Sequence, residues 1–353
     1  MIDGISINYC TSNRGKKSVV LDLKDPRGAE AFKKLAAKAD VLLESYRPGV
    51  MKKLGLSYED LKEINPRLIY CSISAYGQTG PYASRPGYDV IAQAVSGIME
   101  MTGEPDGQPT KIGPAIGDWM GALNAFGCIG TALYYRSICG RGQRIDISLA
   151  RSLMWMAAKL DHGITGEVGT RTGNHHSNLA PYGIFTGNNN ESVVIGVLST
   201  NLWNKFCDVM GRPELAEDER FISNDKRVAN KEILIDLIQE WLRTFAHVSD
   251  AVDRLMDAGI PCAKIYNMID VDEDPHFNQC GWIANMPMAD GMTSVRTRRF
   301  PADPFEFSEF SAEYRKAPAL GENNHEVLGA LGYSKKEIDE MEAEWEAKIK
   351  HKK

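Results

Sequence analysis

The chain has 353 residues, of which 43% are apolar, 25% charged and 8% aromatic, a composition that supplies a core and excludes a disordered tail protein. At this length a single continuous core is disfavoured, so two domains, or one domain carrying a second as an insertion, are expected. The net charge of −6 and a sequence pI near 5.7 argue against a general nucleic-acid or anionic-membrane binder, which needs a basic surface, so a polyanionic ligand must meet a local basic cluster.

The opening segment MIDGISINYC lacks a charged start followed by an apolar run, and no stretch of eighteen apolar residues occurs. Neither a signal peptide nor a membrane span is supported, and the cytoplasm is the expected location. SVVLDL (Ser18 to Leu23) reads as a strand. Asp25 and Pro26 then supply the N-cap and first position of a helix burying Phe32, Leu35 and Ala36. DVLLES is the next strand, SYEDLKEIN a short helix stopped before Pro66, and LIYCSIS (Leu68 to Ser74) a β-rich run entering the loop AYGQTGPYASRPGYD. This alternation predicts a parallel sheet covered by helices. Helical stretches follow at Asp89 to Met101 and Trp119 to Cys139, the second rich in Gly and Ala, and GRGQRIDISLA reads as a turn into a strand.

From Gly163 to Asn190 the sequence thins into Gly, Thr, Asn and His and reads as a loop or domain crossing. Beyond it, SVVIGVLS is a strand and KEILIDLIQEWLRTF a helix with Ile233, Leu234, Leu237, Ile238 and Trp241 on one side. SDAVDRLMDAGIPCAKIY is a helix-to-strand unit, and together these predict a second, α+β body. The C-terminal stretch predicts a surface helix with a capping box of Ser334 and Glu337 and an apolar stripe of Ile338, Met341 and Trp345. Glu344 with Lys348 and Glu346 with Lys350 are spaced as i,i+4 ion pairs.

Seven cysteines (10, 71, 128, 139, 207, 262 and 280) are scattered singly, with no C-x-x-C, so reduced thiols are expected rather than a disulfide framework or a zinc site. Dinucleotide, P-loop, serine-hydrolase and H-E-x-x-H signatures are absent from the sequence. His175 and His176 sit in a polar loop without a third ligand nearby, which favours a solvated or hinge loop over a metal site. Trp155 and Met156 read as core rather than pocket lining. The informative acid is Asp118 in KIGPAIGDWMGAL. On spacing alone an N-cap is the favoured reading, because an acid there satisfies the first free amides of the helix. The same placement suits a nucleophile, since amides at a helix start also stabilise charge on an attacked carbonyl.

The blocks NRGKKSVVLDLKDPRG, KADVLLESYRPGVMKKLGLSYEDLKEINPRLIYCSISAYGQTGPY, RPGYDVIAQAVSGIMEMTG, GPAIGDWMGAL, GRGQRIDISL and APALGENNHEVLGALGYS resemble, in this order, the class III CoA-transferases. That family includes formyl-CoA, carnitine and bile-acid CoA-transferases, with α-methylacyl-CoA racemase as a side branch. The resemblance covers nearly the whole chain. It implies an α/β fold with a Rossmann-type large domain, an inserted smaller α+β domain, a C-terminal return to the first, and an interlocked homodimer. The expected boundaries are 1–165, 180–297 and 298–353. It also implies that Asp118, in the GD block, is the nucleophile. The substrates would be an acyl-CoA and a small carboxylic acid, with coenzyme A passing through the enzyme and no metal required.

Coenzyme A carries about four negative charges, so an acidic protein needs local cations for it. Arg14, Lys16, Lys17, Lys24, Arg47, Lys52, Lys53 and Arg85 lie near strand ends or the loops after them, where an open α/β sheet binds ligands. Taken singly, each reads as solvated surface. The resemblance places Leu21, Leu23, Lys24, Tyr46, Arg47 and Lys53 along the CoA groove, with Arg85 among the cations and Tyr88 packing near the pantetheine.

The racemase branch carries a histidine in a GHD block thirty residues before its aspartate. Here the block is Gly87-Tyr88-Asp89, and a phenol of pKa near 10 is a poor base at neutral pH. A transferase is therefore expected, with an acyl-CoA racemase and a non-catalytic CoA-binding or dimer-partner subunit as alternatives. Two departures from the family pattern stand out. Arg151 occupies a position in DISLARSLM where transferases often carry an acid. The family's first strand-helix-strand segment is absent, so the expectation is a truncated or misassigned start, or a segment supplied by another chain.

Overall fold

The structure, a computed structural model, describes residues 1–157, 161–166, 168–311 and 313–350, without the side chains of 346, 349 and 350. The chain divides into two compact units. One comprises Met1–Gly87, Trp119–Leu149 and Ile269–Lys353, the other Tyr88–Asp118 and Ala150–Met268. Residues 88–118 and 150–165 thus group with the smaller body and 269–297 with the larger, so these divisions do not coincide with the sequence boundaries. The chain leaves and re-enters each unit according to what it packs against, which spacing along the sequence does not report.

In the first unit, β1 (Val41–Glu44), β2 (Ile69–Ser74) and β3 (Gln143–Ser148) form a parallel sheet in the order β1-β2-β3. Glu44, Ser72 and Asp146 share one row across it. Helix Pro26–Lys38 begins as its sequence predicts: the Asp25 carboxylate accepts the Arg27 amide at 3.0 Å and proline takes the first turn. Gly28 is required there, because a Cβ would lie 2.2 Å from the Asp22 carbonyl oxygen. Ala36, Leu42, Leu56, Leu61, Leu68 and Tyr70 fill the core beneath, with Phe32 at its edge. The predicted SYEDLKEIN helix is a single turn, Tyr58–Leu61, closed by a capping box of Ser57 and Asp60.

Ser18 to Leu23 does not form a strand. The amides of Ser18 and Val20 donate instead to the side-chain oxygens of Asn323 (2.9 Å) and Asn324 (2.8 Å). Val19, Val20 and Leu21 pack on Leu328, Ile338, Met341 and Trp345. The apolar pattern reported burial correctly, but the backbone found side-chain acceptors rather than a neighbouring strand. Helix Lys335–Lys350 carries the expected capping box and buries the expected stripe. Its charges pair differently: Glu344 bonds to Arg27 at 2.5 Å and Lys348 to Asp22 at 3.1 Å, tying this helix to the start of Pro26–Lys38. The side chains of the expected pair Glu346–Lys350 lie outside the described residues.

In the second unit, β4 (Tyr182–Thr186), β5 (Ser192–Gly196) and β6 (Cys262–Lys264) form an antiparallel sheet in the order β4-β5-β6. β4 lies inside the stretch expected to be loop. Five residues between Gly- and Asn-rich flanks carry little periodic signal, and pairing with β5 makes them a strand. Helices Thr200–Val209, Lys231–Leu242 and Val248–Asp257 close a core of Trp203, Phe206, Phe221, Leu234, Ile238 and Leu255. Ile233, expected on the buried face, is exposed.

The chain then adds the hairpin β7 (Ile283–Pro287) and β8 (Thr297–Pro301) to the first unit, packed over Cys10, Met286, Met288 and Phe300. All seven cysteines are free: Cys10, Cys71 and Cys207 are buried, while Cys128 and Cys280 are exposed. Among the described residues no helix is long and apolar enough to cross a membrane.

Candidate active site

Asp118 is the third residue of helix Ile116–Cys139. It lies inside the first turn, so it is not the N-cap that spacing favoured, although an acid in a first turn is still stabilised by the helix dipole. The capping contact comes from another element. Asp89, first residue of helix Asp89–Val95, accepts the Gly117 amide on Oδ1 at 2.6 Å. Glycine at 117 leaves room for this approach, since a Cβ would stand 2.9 Å from that oxygen and 3.3 Å from Leu153 Cδ1. Four residues along the same helix, Gln93 is fully buried. Its Nε2 donates to Asp89 Oδ2 at 2.8 Å, and its Oε1 accepts the Ile112 amide at 2.9 Å.

Asp118 itself is exposed. Its pKa is nonetheless raised above the ordinary carboxylate value, first by partial desolvation and second by the charge of Asp89. Asp89 and Gln93 escaped the sequence reading, which used their GYDVIAQ block only for Tyr88 and a helix start. The available signal was an acid and an amide at i,i+4, which share one helix face.

Tyr46 and Arg47 follow the C-terminal end of β1, and Lys53 ends the one-turn helix Val50–Lys53. Gly49, at φ +87°, makes the turn between them. Leu23 and Tyr46 line a cavity of about 510 Å³, and Arg47 with Lys52 lines another of about 530 Å³; Glu44 and Met51 border both. The buried Glu44 carboxylate accepts the Tyr46 amide at 2.8 Å. The other expected groove residues are placed differently. Leu21 packs into the core under the C-terminal helix, Lys24 is exposed with its amide on Asp22, and the Arg85 guanidinium stacks 3.7 Å over the Tyr82 ring. Tyr88 is exposed at the cap position of helix Asp89–Val95. Of the remaining cations, Arg14 is paired with Asp303 at 2.5 Å and Lys17 with Glu326.

The His175 ring packs edge-on against Phe185 at 5.1 Å, and burial lowers its pKa. His176 packs against Tyr182 and accepts the Asn178 amide at 3.0 Å. His175 is thereby packed onto β4, while His176 stays exposed in the loop. Trp155, expected in a core, is exposed on helix Leu149–Ala157, as is Arg151.

Residues 2–324 match the family model described as CoA-transferase family III. The chain belongs to CoA-transferase family III. It is 38% identical over 327 residues to the acetyl-CoA:oxalate CoA-transferase of Acetobacter aceti, covering 90% of this chain and 80% of that one. Against the human succinyl-CoA:glutarate CoA-transferase it is 33% identical over 350 residues, covering 95% of this chain and 76% of the relative. The crystal structure of a CAIB/BAIF family protein from Brucella suis superposes with a TM-score of 0.78 at 36% identity, over 90% of this chain and 82% of that one.

As a family III CoA-transferase the protein moves CoA between an acyl-CoA and a carboxylic acid. The CoA ester carries phosphates, for which cations are favourable partners.

Proposed function

We propose that Asp118 is the nucleophile of this family III CoA-transferase. The observation that carries the reading is an exposed carboxylate in the first turn of a helix, with the residue before it held by Asp89. An Asp118 carboxylate oxygen attacks the acyl carbonyl of the donor, the C–S bond breaks, and CoA leaves as the thiolate. The resulting mixed anhydride is attacked at the aspartyl carbonyl by that thiolate, which frees the first acid and leaves an aspartyl-CoA thioester. The incoming carboxylate attacks this thioester and expels CoA thiolate. The thiolate then attacks the acyl carbonyl of the new anhydride, releasing acyl-CoA and regenerating the aspartate. Activation energy stays in the thioester throughout, so ATP is not needed.

In the same reading, Arg47 and Lys53 hold the CoA phosphates, helped by Lys24 and Arg85, while Leu21, Leu23, Tyr46 and Tyr88 line the path of the remainder. Leu21 takes part through its backbone segment, because its half-buried side chain packs against the core under the C-terminal helix. Tyr88 supplies no imidazole base, which favours transfer over racemisation. The protein works in the cytoplasm as a homodimer. Trp119, Leu123, Phe126 and Ile138, which are 63–69% exposed on helix Ile116–Cys139, form the apolar face expected to be covered by the second copy.

The test is chemical trapping. Incubation with an acyl-CoA followed by hydroxylamine should convert Asp118 to its hydroxamate, located by peptide mapping, and Asp118→Asn should abolish transfer while CoA still binds. Transfer at nearly the wild-type rate in that variant would sink the assignment.

A further inference from the structure

The segment that delivers Asp118 to its helix is gripped from helix Asp89–Val95 at two places. Gln93 Oε1 takes the Ile112 amide at 2.9 Å, and Asp89 Oδ1 takes the Gly117 amide at 2.6 Å. The two grips are one connected chain, because Gln93 Nε2 donates to the second oxygen of Asp89 at 2.8 Å. Gln93 is 0% exposed and its neighbour Ala92 1%, so the carboxamide occupies a place where an apolar side chain would pack without a desolvation cost. Both ends of the amide are used, each on a group that leads to the strap 112–117.

We propose that Gln93 is a positioning residue of the transferase reaction, latching this strap so that the Asp118 carboxylate is presented at a fixed place. The inference rests on Asp118 being the nucleophile and adds what holds it. On the latch's own helix stands the charge of Asp89, which acts on Asp118 at the start of the next helix. On the strap, Lys111 turns its ammonium to the Gly113 carbonyl at 3.3 Å, and helix Leu149–Ala157 places Leu153 against Gly117. In a partly buried chain of this kind, anchored on the buried Gln93, each hydrogen bond fixes the orientation of the next, and small displacements of a reacting group are costly, on the order of 10²-fold in rate for about 1 Å.

The experiment compares Gln93→Leu, Gln93→Glu and Asp118→Asn with the wild type, measuring kcat and KM against pH alongside folded fraction by circular dichroism. Gln93→Leu removes both bonds and should lower kcat by about 10²-fold while KM for the acyl-CoA stays within about twofold. Gln93→Glu is the sharper probe. Protonated, the introduced carboxyl group donates to Asp89 and accepts from Ile112 as the carboxamide does; ionised, it loses the donor and repels Asp89. In this variant kcat should approach the wild-type value at the acid end of the active range and fall relative to the wild type as pH rises. Wild-type kcat and pH profile in both Gln93 variants, with Asp118→Asn inactive, would overturn the latch alone. Losses that merely follow the unfolded fraction would also overturn it. Substantial transfer by Asp118→Asn would remove the nucleophile reading and the latch with it.

Discussion

The Asp89 carboxylate and the Gly117 amide meet at 2.6 Å, one residue before Asp118. One carboxylate thereby caps the helix that carries another, and its negative charge adds to the desolvation that raises the pKa of Asp118. The arrangement ties the position of the proposed nucleophile to its protonation.

Removing the Asp89 charge should therefore move the pH dependence of transfer. As the proposed nucleophile, Asp118 would react as the carboxylate, so activity is expected above its raised pKa and should be lost as pH falls through it. Asp89→Asn takes away one cause of the elevation, and the acid limb of kcat is expected at lower pH than in the wild type. An unmoved limb in a folded variant would show that Asp89 exerts no electrostatic influence during the reaction.

Binding of CoA should depend on charge. Arg47 and Lys53 are exposed, so Arg47→Ala and Lys53→Ala are expected to weaken CoA binding by roughly 0.5–1 kcal/mol each, and wild-type affinity should fall as salt rises. Calorimetric titration at two ionic strengths checks both. Wild-type affinity in each variant would place the phosphates elsewhere.

Two glycines should separate stability from catalysis. A Cβ on Gly28 would lie 2.2 Å from the backbone oxygen of Asp22, which cannot yield cheaply, so Gly28→Ala should cost about 1–3 kcal/mol or more and lower Tm by several degrees. A Cβ on Gly117 meets the movable Asp89 and Leu153 side chains. Gly117→Ala should lose more activity than Gly28→Ala per folded molecule while losing less stability, as thermal melts and transfer assays on the same samples would report.

The α-proton of a 2-methylacyl-CoA should stay in place, because the Gly87-Tyr88-Asp89 block offers a phenol, a poor base at neutral pH. Rapid deuterium uptake at that carbon from D2O, abolished by Asp118→Asn, would restore the racemase alternative.

The exposed face of helix Ile116–Cys139 should be covered in solution. Light scattering is expected to give twice the chain mass for the wild type and a monomer for Phe126→Glu, which sets a charge beside the stacked Phe305 ring at 6.1 Å. A monomeric wild type at micromolar concentration would contradict the dimer.

Local order was legible wherever neighbouring residues decide it. Asp25-Pro26, Ser57 with Asp60 and Ser334 with Glu337 start helices because caps act within one turn. β2 and the stripe of Ile338, Met341 and Trp345 follow from apolar runs and periodicity. The acid at Asp118 was visible too, since its setting between glycines at a helix start is a local pattern.

Contacts between distant segments were settled only by the tertiary structure. Ser18 to Leu23 carries a strand-like run, yet its amides go to Asn323 and Asn324, some three hundred residues away. β4 became a strand through β5, and Trp155 on its helical pattern came to face solvent. The cap on Gly117 comes from Asp89, twenty-eight residues earlier. Composition and periodicity determined which side chains seek burial and where helices begin. Which acceptor each buried amide finds, and which carboxylate stands beside Asp118, depends on how the chain closes on itself, because a hydrogen bond is set by distance in space and not by spacing in sequence.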